Sequence, residues 1–309
     1  TQTSIFGLSA GITLYDGLKN SNQLYKANLA ILANQYQLED MKDNISLRVV
    51  NAYLQILFSK ESLATLKKQA QLNIKERKQT QELVNLGSKP KGDLLEIEAS
   101  IASQEQQIVN AENTLKITKL TLANLLLIKD ANTFEIVDQK DLLVETSILD
   151  FNSEVIYDKA AQNRNDIKAS ALNVKISETN VKIAKGNYQP TLSGSYGFNT
   201  NYYFSKLLEL PSFENQIADN KGHAFSLNLS IPVFNRLTNS NDVRRAEINY
   251  KKAKLALKQS KVDLKDKVNK AYNDLKGALA AYKAALKAGV ARKEAFRYSQ
   301  NKFELGLLN

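Results

Sequence analysis

The sequence predicts a mixed α and β chain in which very long antiparallel coiled-coil helices alternate with a few amphipathic strands, the whole pattern being internally duplicated. Three observations carry this prediction. Only 12 Gly and 4 Pro punctuate 309 residues, so the segments between breakers are long. Those segments repeat apolar residues at steps of three, four and seven, whereas three short stretches alternate with a period of two. Sliding the chain on itself until Phe6 falls on Phe225 aligns 6–87 with 225–306 without a gap. Seventeen of the aligned pairs are identical, where composition alone gives roughly five.

The residue inventory closes off most chemistry. Without Cys there is no disulfide framework, thiol nucleophile or Cys-ligated metal, and His223 alone supports no relay and no multi-His metal site within one chain. The Walker A, His-Glu-x-x-His, Gly-x-Ser-x-Gly and Gly-x-Gly-x-x-Gly patterns are missing, so neither enzyme activity nor a cofactor is expected. His223, beside Gly222 at a strand start, reads as a loop or interface residue rather than a catalyst. No run reaches the roughly 18 apolar residues of a membrane-spanning helix. The start shows no basic, apolar, small-residue leader, so targeting information is expected to be cleaved or never included.

The net charge of +10 is unevenly placed. Residues 1–239 hold 25 basic and 25 acidic side chains and residues 240–309 hold 17 and 7, so the whole excess lies in the C-terminal stretch. There Lys251, Lys254, Lys258, Lys261 and Lys265 alternate with Ala, Leu and Val at helical spacing, with no aromatic side chain between them for base stacking. A solvated helix face is the plain reading and a phosphate-binding stripe the other; no nucleic-acid partner is expected.

Taken in order, residues 1–16 form a strand in which Phe6, Leu8, Ala10, Ile12 and Leu14 alternate with Gly7, Ser9, Gly11 and Thr13. Gly17 and Gly87 then bracket a long stretch without Gly or Pro, and apolar residues such as Leu24, Ile31, Leu38, Ile45 and Ala52 draw a narrow coiled-coil seam. At a rise of about 1.5 Å per residue that helix is about 100 Å long. Residues 17–128 are therefore expected to be a hairpin whose helices, 18–86 and 93–127, pack antiparallel and turn at 86–93. Over 129–150 the seam fails and a short irregular or mixed segment is expected. One helix follows over 151–187, with Ser153 as its N-cap.

Residues 188–234 hold two more strands. After Pro190, Leu192, Tyr196, Phe198, Tyr202 and Phe204 stand opposite Ser193, Ser195, Gly197, Asn199 and Asn201; then Phe225, Leu227, Leu229, Ile231 and Val233 alternate with Ser226, Asn228, Ser230 and Pro232. Residues 235–309 repeat the long helix and stop shortly after Gly306, the equivalent of Gly87, so the second hairpin is expected to be truncated at its tip.

Each strand is about as long as the roughly 9–11 residues a tilted strand needs to cross a bilayer. Small polar residues on one face and apolar or aromatic ones on the other fit a barrel wall, and residues 187–234 hold nine of the 24 Tyr and Phe, as an interfacial girdle requires. Alternation alone also fits a soluble sandwich with one wet face. Counting narrows the choice. A single-chain membrane barrel needs about eight strands, this chain offers three, or four with one upstream of residue 1, and open edges cannot face lipid. Such strands must close a barrel with other copies of the chain. On this reading Ser9, Thr13, Ser193, Ser195, Asn199, Asn201, Asn228 and Ser230 face the pore.

Several short patterns stand in order along the chain. Leu14-Tyr15-Asp16-Gly17 closes the first strand, with a looser Val233-Phe234-Asn235-Arg236 in the second copy. Ala52-Tyr53 and Ala271-Tyr272 recur on the long helices. Gly87, a short gap and then Asp93-Leu94-Leu95 with Glu98-Ala99 span the turn, and Arg164-Asn165-Asp166-Ile167 and Tyr188-Gln189-Pro190-Thr191-Leu192 precede the middle strand. Together with the duplication these resemble the TolC-like outer-membrane efflux proteins over essentially the whole chain. The family shows aromatic-Asp-Gly, Ala-Tyr, Gly-gap-Asp-Leu-Leu, Arg-Pro-Asp-Leu and aromatic-x-Pro-x-Leu at these places.

The resemblance implies a homotrimer in the outer membrane of a Gram-negative bacterium, each chain giving four strands to one barrel. The long helices would continue it as a periplasmic α-barrel, wrapped by 129–150 as an equatorial segment. It implies that the helix tips, Leu86, Gly87, Ser88, Lys89 and Leu305, Gly306, Leu307, Leu308, dock on a periplasmic adaptor protein that joins the channel to an inner-membrane transporter. A Gly that serves only as a helix C-cap is the bland reading of either tip. Asp93 matches a family position that ties neighbouring coils in the closed gate, although an Asp is favoured at any helix N-terminus. The function expected is a trimeric exit duct for small molecules or proteins. The alternative is a soluble coiled-coil scaffold whose basic helix binds anionic partners.

Overall fold

The computed structural model describes residues 1–130, 134–137 and 147–305. In chain order the elements are β1 (Gln2–Tyr15), α1 (Lys19–Asn85), α2 (Lys91–Leu125), a 3-10 turn (Ser147–Asp150), α3 (Ser153–Asn163), α4 (Asn165–Gly186), β2 (Thr191–Phe204), α5 (Phe213–Asp219), β3 (Gly222–Ser230) and α6 (Thr238–Glu304). α1 and α6 are each 67 residues long, about 100 Å at the helical rise. Thr238 and Glu304, the ends of α6, are the residues that the internal alignment places on Lys19 and Asn85, the ends of α1. The duplication in sequence is thus a duplication in structure. By packing the chain divides into two units, Thr1–Leu38 with Thr146–Asn309, and Glu39–Glu145.

The second unit is an antiparallel hairpin made by α1 beyond residue 38 and by α2. Ile56, Leu94, Leu122 and Ala123 are buried along its seam, and so is Gln104, whose Oε1 accepts a 2.7 Å bond from Asn73 Nδ2. Lys67 and Glu112 pair at 2.7 Å. Both links are centred on residues 88–90, so they hold one register. A polar pair inside an apolar seam is satisfied only in that register and specifies it at some cost in stability. The Tyr53 hydroxyl donates to the Val137 carbonyl at 2.9 Å and Lys119 pairs with Glu135, which fastens residues 134–137 to both helices. Most of the equatorial segment expected over 129–150 lies outside the described residues.

The first unit holds a three-stranded antiparallel sheet of order β1-β2-β3 and the helices beneath it. α4 packs along α6 with α3 beside both, around Ile167, Ala169 and Leu264. Lys265 of α6 pairs with Glu154 of α3 at 2.9 Å and lies over the Tyr157 ring; the bond to Glu154 raises its ammonium pKa.

The corner from strand to helix explains the aromatic-Asp-Gly pattern. Asp16 Oδ2 accepts from the Asn20 N–H at 2.8 Å, satisfying one of the donors that the first turn of α1 leaves free. Gly17 and Leu18 both take left-handed conformations, φ +72° and +63°. A Cβ on Gly186, at the end of α4, would sit 2.8 Å from the Gly17 carbonyl oxygen, so the two backbones touch. In the second copy Arg236 and Leu237 take the same pair of conformations, φ +53° and +66°, without a glycine.

Three expectations are corrected. The helix over 151–187 is two helices, because Arg164 is extended (φ −63°, ψ 136°) between α3 and α4. Its guanidinium holds the break through two bonds to the Asp166 carboxylate, at 3.0 and 2.9 Å. The N-cap of α3 is Asn152, whose Oδ1 accepts from the Glu154 N–H, with Ser153 already in the first turn. And β3 ends at Ser230 rather than continuing to Val233, since Pro232 has no N–H for a ladder.

Gly17→Ala is expected to lose far more stability than Gly87→Ala. Both place a Cβ at a left-handed position, φ +72° and +75°, at roughly 1–2 kcal/mol each. Only at Gly17 would the new atom collide with backbone, the Gly186 carbonyl, whereas nothing lies within 4 Å of one at Gly87. Thermal unfolding followed by circular dichroism ranks the two, and equal shifts would refute the packed corner.

Burial pushes the Asp166 carboxyl up, but Arg164, the Ile167 N–H and Lys267 outweigh it and hold the pKa below the ordinary 3.8. A carboxylate depressed by folding stabilises fully above its unfolded value, and the contribution fades as pH falls through the lower folded one. Asp166→Asn is therefore expected to be less stable than the parent at neutral pH, with the two converging in strong acid. Denaturation midpoints measured against pH check this.

Candidate functional site

Register decides which side chains share a face, because directly opposed residues in a sheet point to the same side. In the β1–β2 pair Ile5 faces Asn201, Gly7 faces Asn199, Ser9 faces Gly197, Gly11 faces Ser195 and Thr13 faces Ser193. In the β2–β3 pair Asn228 faces Ser193, Ser226 faces Ser195 and Ser230 faces Thr191. All eight strand residues singled out in the sequence therefore lie on one face. The Ser195 and Ser226 hydroxyls meet there at 2.7 Å, and the Asn199 amide lies over Gly222, which has no side chain to obstruct it. No strand residue on this face is acidic or basic.

The opposite face is apolar. Leu8 pairs with Phe198 and Ala10 with Tyr196, and beyond them Phe225 faces Tyr196 and Leu227 faces Gly194. Tyr196 lies 4.8 Å from Phe225 between ring centroids and meets His223 Nδ1 through its hydroxyl at 2.8 Å. The one histidine thus belongs to an aromatic cluster shared by β2 and β3. β1 is exposed along its whole length and Phe225 is 82% exposed, while α5 lies against the apolar face near one end, with Phe213 packed on Phe6 and Tyr202. A soluble sandwich would need a second layer against the apolar side.

Beyond Asn199 the sheet solves a different problem. β3 stops pairing at Gly222 opposite Asn199, so the β2 backbone from residue 201 onward has no strand on that side. α5 supplies side chains in its place. Gln216 Oε1 accepts from the Tyr203 N–H at 2.8 Å while its Nε2 donates to the Tyr203 and Pro211 carbonyls at 3.0 and 2.7 Å. Asn220 Nδ2 donates to the Asn201 carbonyl at 2.8 Å. Gln216 is buried, and its amide imitates the missing neighbour of Tyr203. Neither residue carries a pattern that marks it in the sequence. The only local signal is Ser212, whose hydroxyl caps α5 by accepting from Asn215.

At the hairpin tip α1 ends in a Schellman-type turn. The Ser88 N–H donates to the Leu83 carbonyl at 2.8 Å and the Gly87 N–H to the Val84 carbonyl at 3.0 Å, with Gly87 left-handed; glycine is the residue this geometry favours. Leu86, Gly87, Ser88 and Lys89 are all exposed. Asp93 lies in the first turn of α2, half-buried, with its N–H donating to the Pro90 carbonyl. Of the second tip, Leu305 caps α6, and Gly306, Leu307 and Leu308 lie outside the described residues.

A largely exposed sheet, polar on one face and apolar on the other, carried on long antiparallel helices, defines the class: a protein that builds a channel wall in a membrane. A family model described as outer membrane efflux protein matches residues 1–126 and 156–309, and the chain belongs to that family. Its members are channels, not enzymes, placed in the outer membrane of Gram-negative bacteria with helices extending into the periplasm. The structure is similar to the outer membrane protein VceC of Vibrio cholerae, with TM-score 0.78 and 15% identity over 100% of this chain and 78% of that one. It is also similar to the outer membrane channel CmeC of Campylobacter jejuni, with TM-score 0.76 and 14% identity over 100% of this chain and 70% of that one. The MtrE outer membrane channel of Neisseria gonorrhoeae gives TM-score 0.65 and 18% identity over 98% of this chain and 71% of that one. No curated protein matches by sequence.

Gln216→Ala would leave the Tyr203 N–H and carbonyl without the partners α5 provides. Its cost is expected at about 1–3 kcal/mol, against about 1 kcal/mol for Asn220→Ala, which removes one bond. Thermal unfolding of the assembled protein compares the two, and a silent Gln216→Ala would rule out the edge cap.

Proposed function

We propose that this chain is one protomer of a homotrimeric exit duct, with the polar face lining a water-filled lumen and the apolar face meeting lipid. The observation that carries the reading is the sheet itself. It sorts Ser9, Thr13, Ser193, Ser195, Asn199, Asn201, Asn228 and Ser230 to one side and Leu8, Phe198, Phe225 and Leu227 to the other. Water suits the first set and hydrocarbon the second. Three strands with open outer edges close only with further copies, and three copies is the number the family resemblance implies. A soluble scaffold would leave the apolar set in water, a patch of the kind that marks an interaction site or an aggregation hazard.

Such a duct makes and breaks no bonds. Its work is to hold a hydrated path open and to admit cargo when partners engage the helix tips. The exposed turn at Leu86–Lys89, with Gly87 offering backbone unshielded by a side chain, suits close approach by the helical hairpins of a periplasmic adaptor that links the duct to an inner-membrane transporter. Asp93, at the start of α2 beside that turn, would supply the gate contact between neighbouring coils that the family resemblance implies. The lumen wall carries hydroxyls and amides without charge, which suits passage of small molecules or proteins of either sign.

The chain has no cysteine, so single cysteines report each face without background. Ser9→Cys, Ser195→Cys and Asn228→Cys are expected to react with a membrane-impermeant maleimide in the membrane-inserted protein, and Leu8→Cys and Phe225→Cys to stay unlabelled. The reverse pattern would overturn the assignment of faces.

A further inference from the structure

We propose that the β2–β3 connection, residues 205–221, is an outer-leaflet anchor that folds back over the lipid side of the wall and places its leucines among acyl chains. The inference rests on the reading that the apolar face meets lipid. The face on which the connection lies is set by contacts. The Phe213 ring packs edge-on against Phe6 and Tyr202, with centroids 6.2 and 5.1 Å apart, and the Thr200 hydroxyl donates to the Ile217 carbonyl at 2.9 Å. Phe6 is opposed to Thr200, and Tyr202 lies two residues further along β2 on the same side. All three belong to the face of Leu8 and Phe198, not to that of Ser9 and Asn199. A plug over the lumen would have to lie on the other side.

The segment's composition fits that placement. Leu207 is 92% exposed and Leu208 68%, with Leu210 and Phe213 also exposed, although a connection bathed in water has no use for four large apolar side chains so close together. Phe213 of the same segment already packs on the apolar band at Phe6 and Tyr202, so the occupant that covers the band is the one available to the neighbouring leucines. Lys206 and Lys221 bound the segment, where long basic side chains can reach headgroups while their stems remain in the apolar layer. The Gln216 clamp on Tyr203 and Pro211 ties α5 to the wall, so the leucines are presented from a fixed support. The connection joins the strand ends remote from α4 and α6, which puts it at the outer leaflet when those helices are periplasmic.

Because the chain has no Trp, one substitution at a time introduces a single fluorophore. Leu207→Trp and Leu208→Trp, with Leu8→Trp as the apolar-face reference and Ser9→Trp as the polar-face reference, are reconstituted as the assembled full chain. The host is vesicles of phosphatidylcholine brominated along the acyl chains. The anchor predicts that Leu207→Trp and Leu208→Trp lose intensity to bromine as far as Leu8→Trp does and resist iodide in the water, while Ser9→Trp does the opposite. Quenching of both connection variants by iodide alone, with Leu8→Trp still quenched by bromine, would overturn the anchor and leave the wall reading intact. Insensitivity of Leu8→Trp to bromine would overturn the wall reading and the anchor with it.

Discussion

A single-layer sheet has no core beneath it, and each of its backbone groups must still find a hydrogen bond. In hydrocarbon no water is available to supply one, so an unpaired amide costs several kcal/mol where in water it costs little. The β1–β2 ladder meets this demand along nearly its full length, from Gln2–Phe204 to Tyr15–Leu192. The β2–β3 ladder ends earlier, at Asn199–Gly222, and the remainder of that edge is completed by amide side chains of Gln216 and Asn220 rather than by another strand. In the proposed assembly the same demand at the outer edges of β1 and β3 is met by further copies.

The wall must then be joined to helices that leave it, and the duplicated corner does this. A strand with period two and a helix with a period of about 3.6 cannot be connected smoothly, and in both copies two consecutive left-handed residues make the change of direction. In the first copy the corner is also a packing site, where Gly17 and Gly186 bring two backbones together. In the second, Asn239 reaches across to the Asn187 carbonyl at 2.7 Å, so each corner is secured to the end of α4 by different means.

Elements governed by one long period were legible in the sequence. The seam of α1, the duplication that gives α6 and the two-faced strands each rest on many residues that agree, so local exceptions do not hide them. What escaped depends on a few residues. α5 is seven residues long, a single period of a hydrophobic seam with no repeat to reveal it, and its main contribution is made by a polar side chain, Gln216, that a pattern search assigns to solvent. The break at Arg164 has neither Gly nor Pro to mark it. The polar face of the site was readable from alternation alone, but that all eight residues share it depends on pairing register, which only the folded sheet reveals. The turn at Gly87 was readable as a helix stop, whereas whether a partner helix uses it depends on a surface outside this chain.

The departures from the family's patterns sharpen this point. Where the family places Pro after Arg164, this chain has Asn165, yet Arg164 keeps the extended conformation a following proline would impose. Its bidentate bond to Asp166 supplies the restraint that the proline ring would otherwise give. Where the first copy has Gly17, the second has Arg236, held at φ +53° at the cost that a left-handed side chain carries. In both places the conformation outlasts the residue that most easily adopts it: at Arg164 the bonds to Asp166 hold it, and beside Arg236 the Asn239–Asn187 bond ties the corner to the end of α4. The short patterns therefore mark corners and breaks that such bonds also hold, which is why they match loosely while α1 and α6 match end to end.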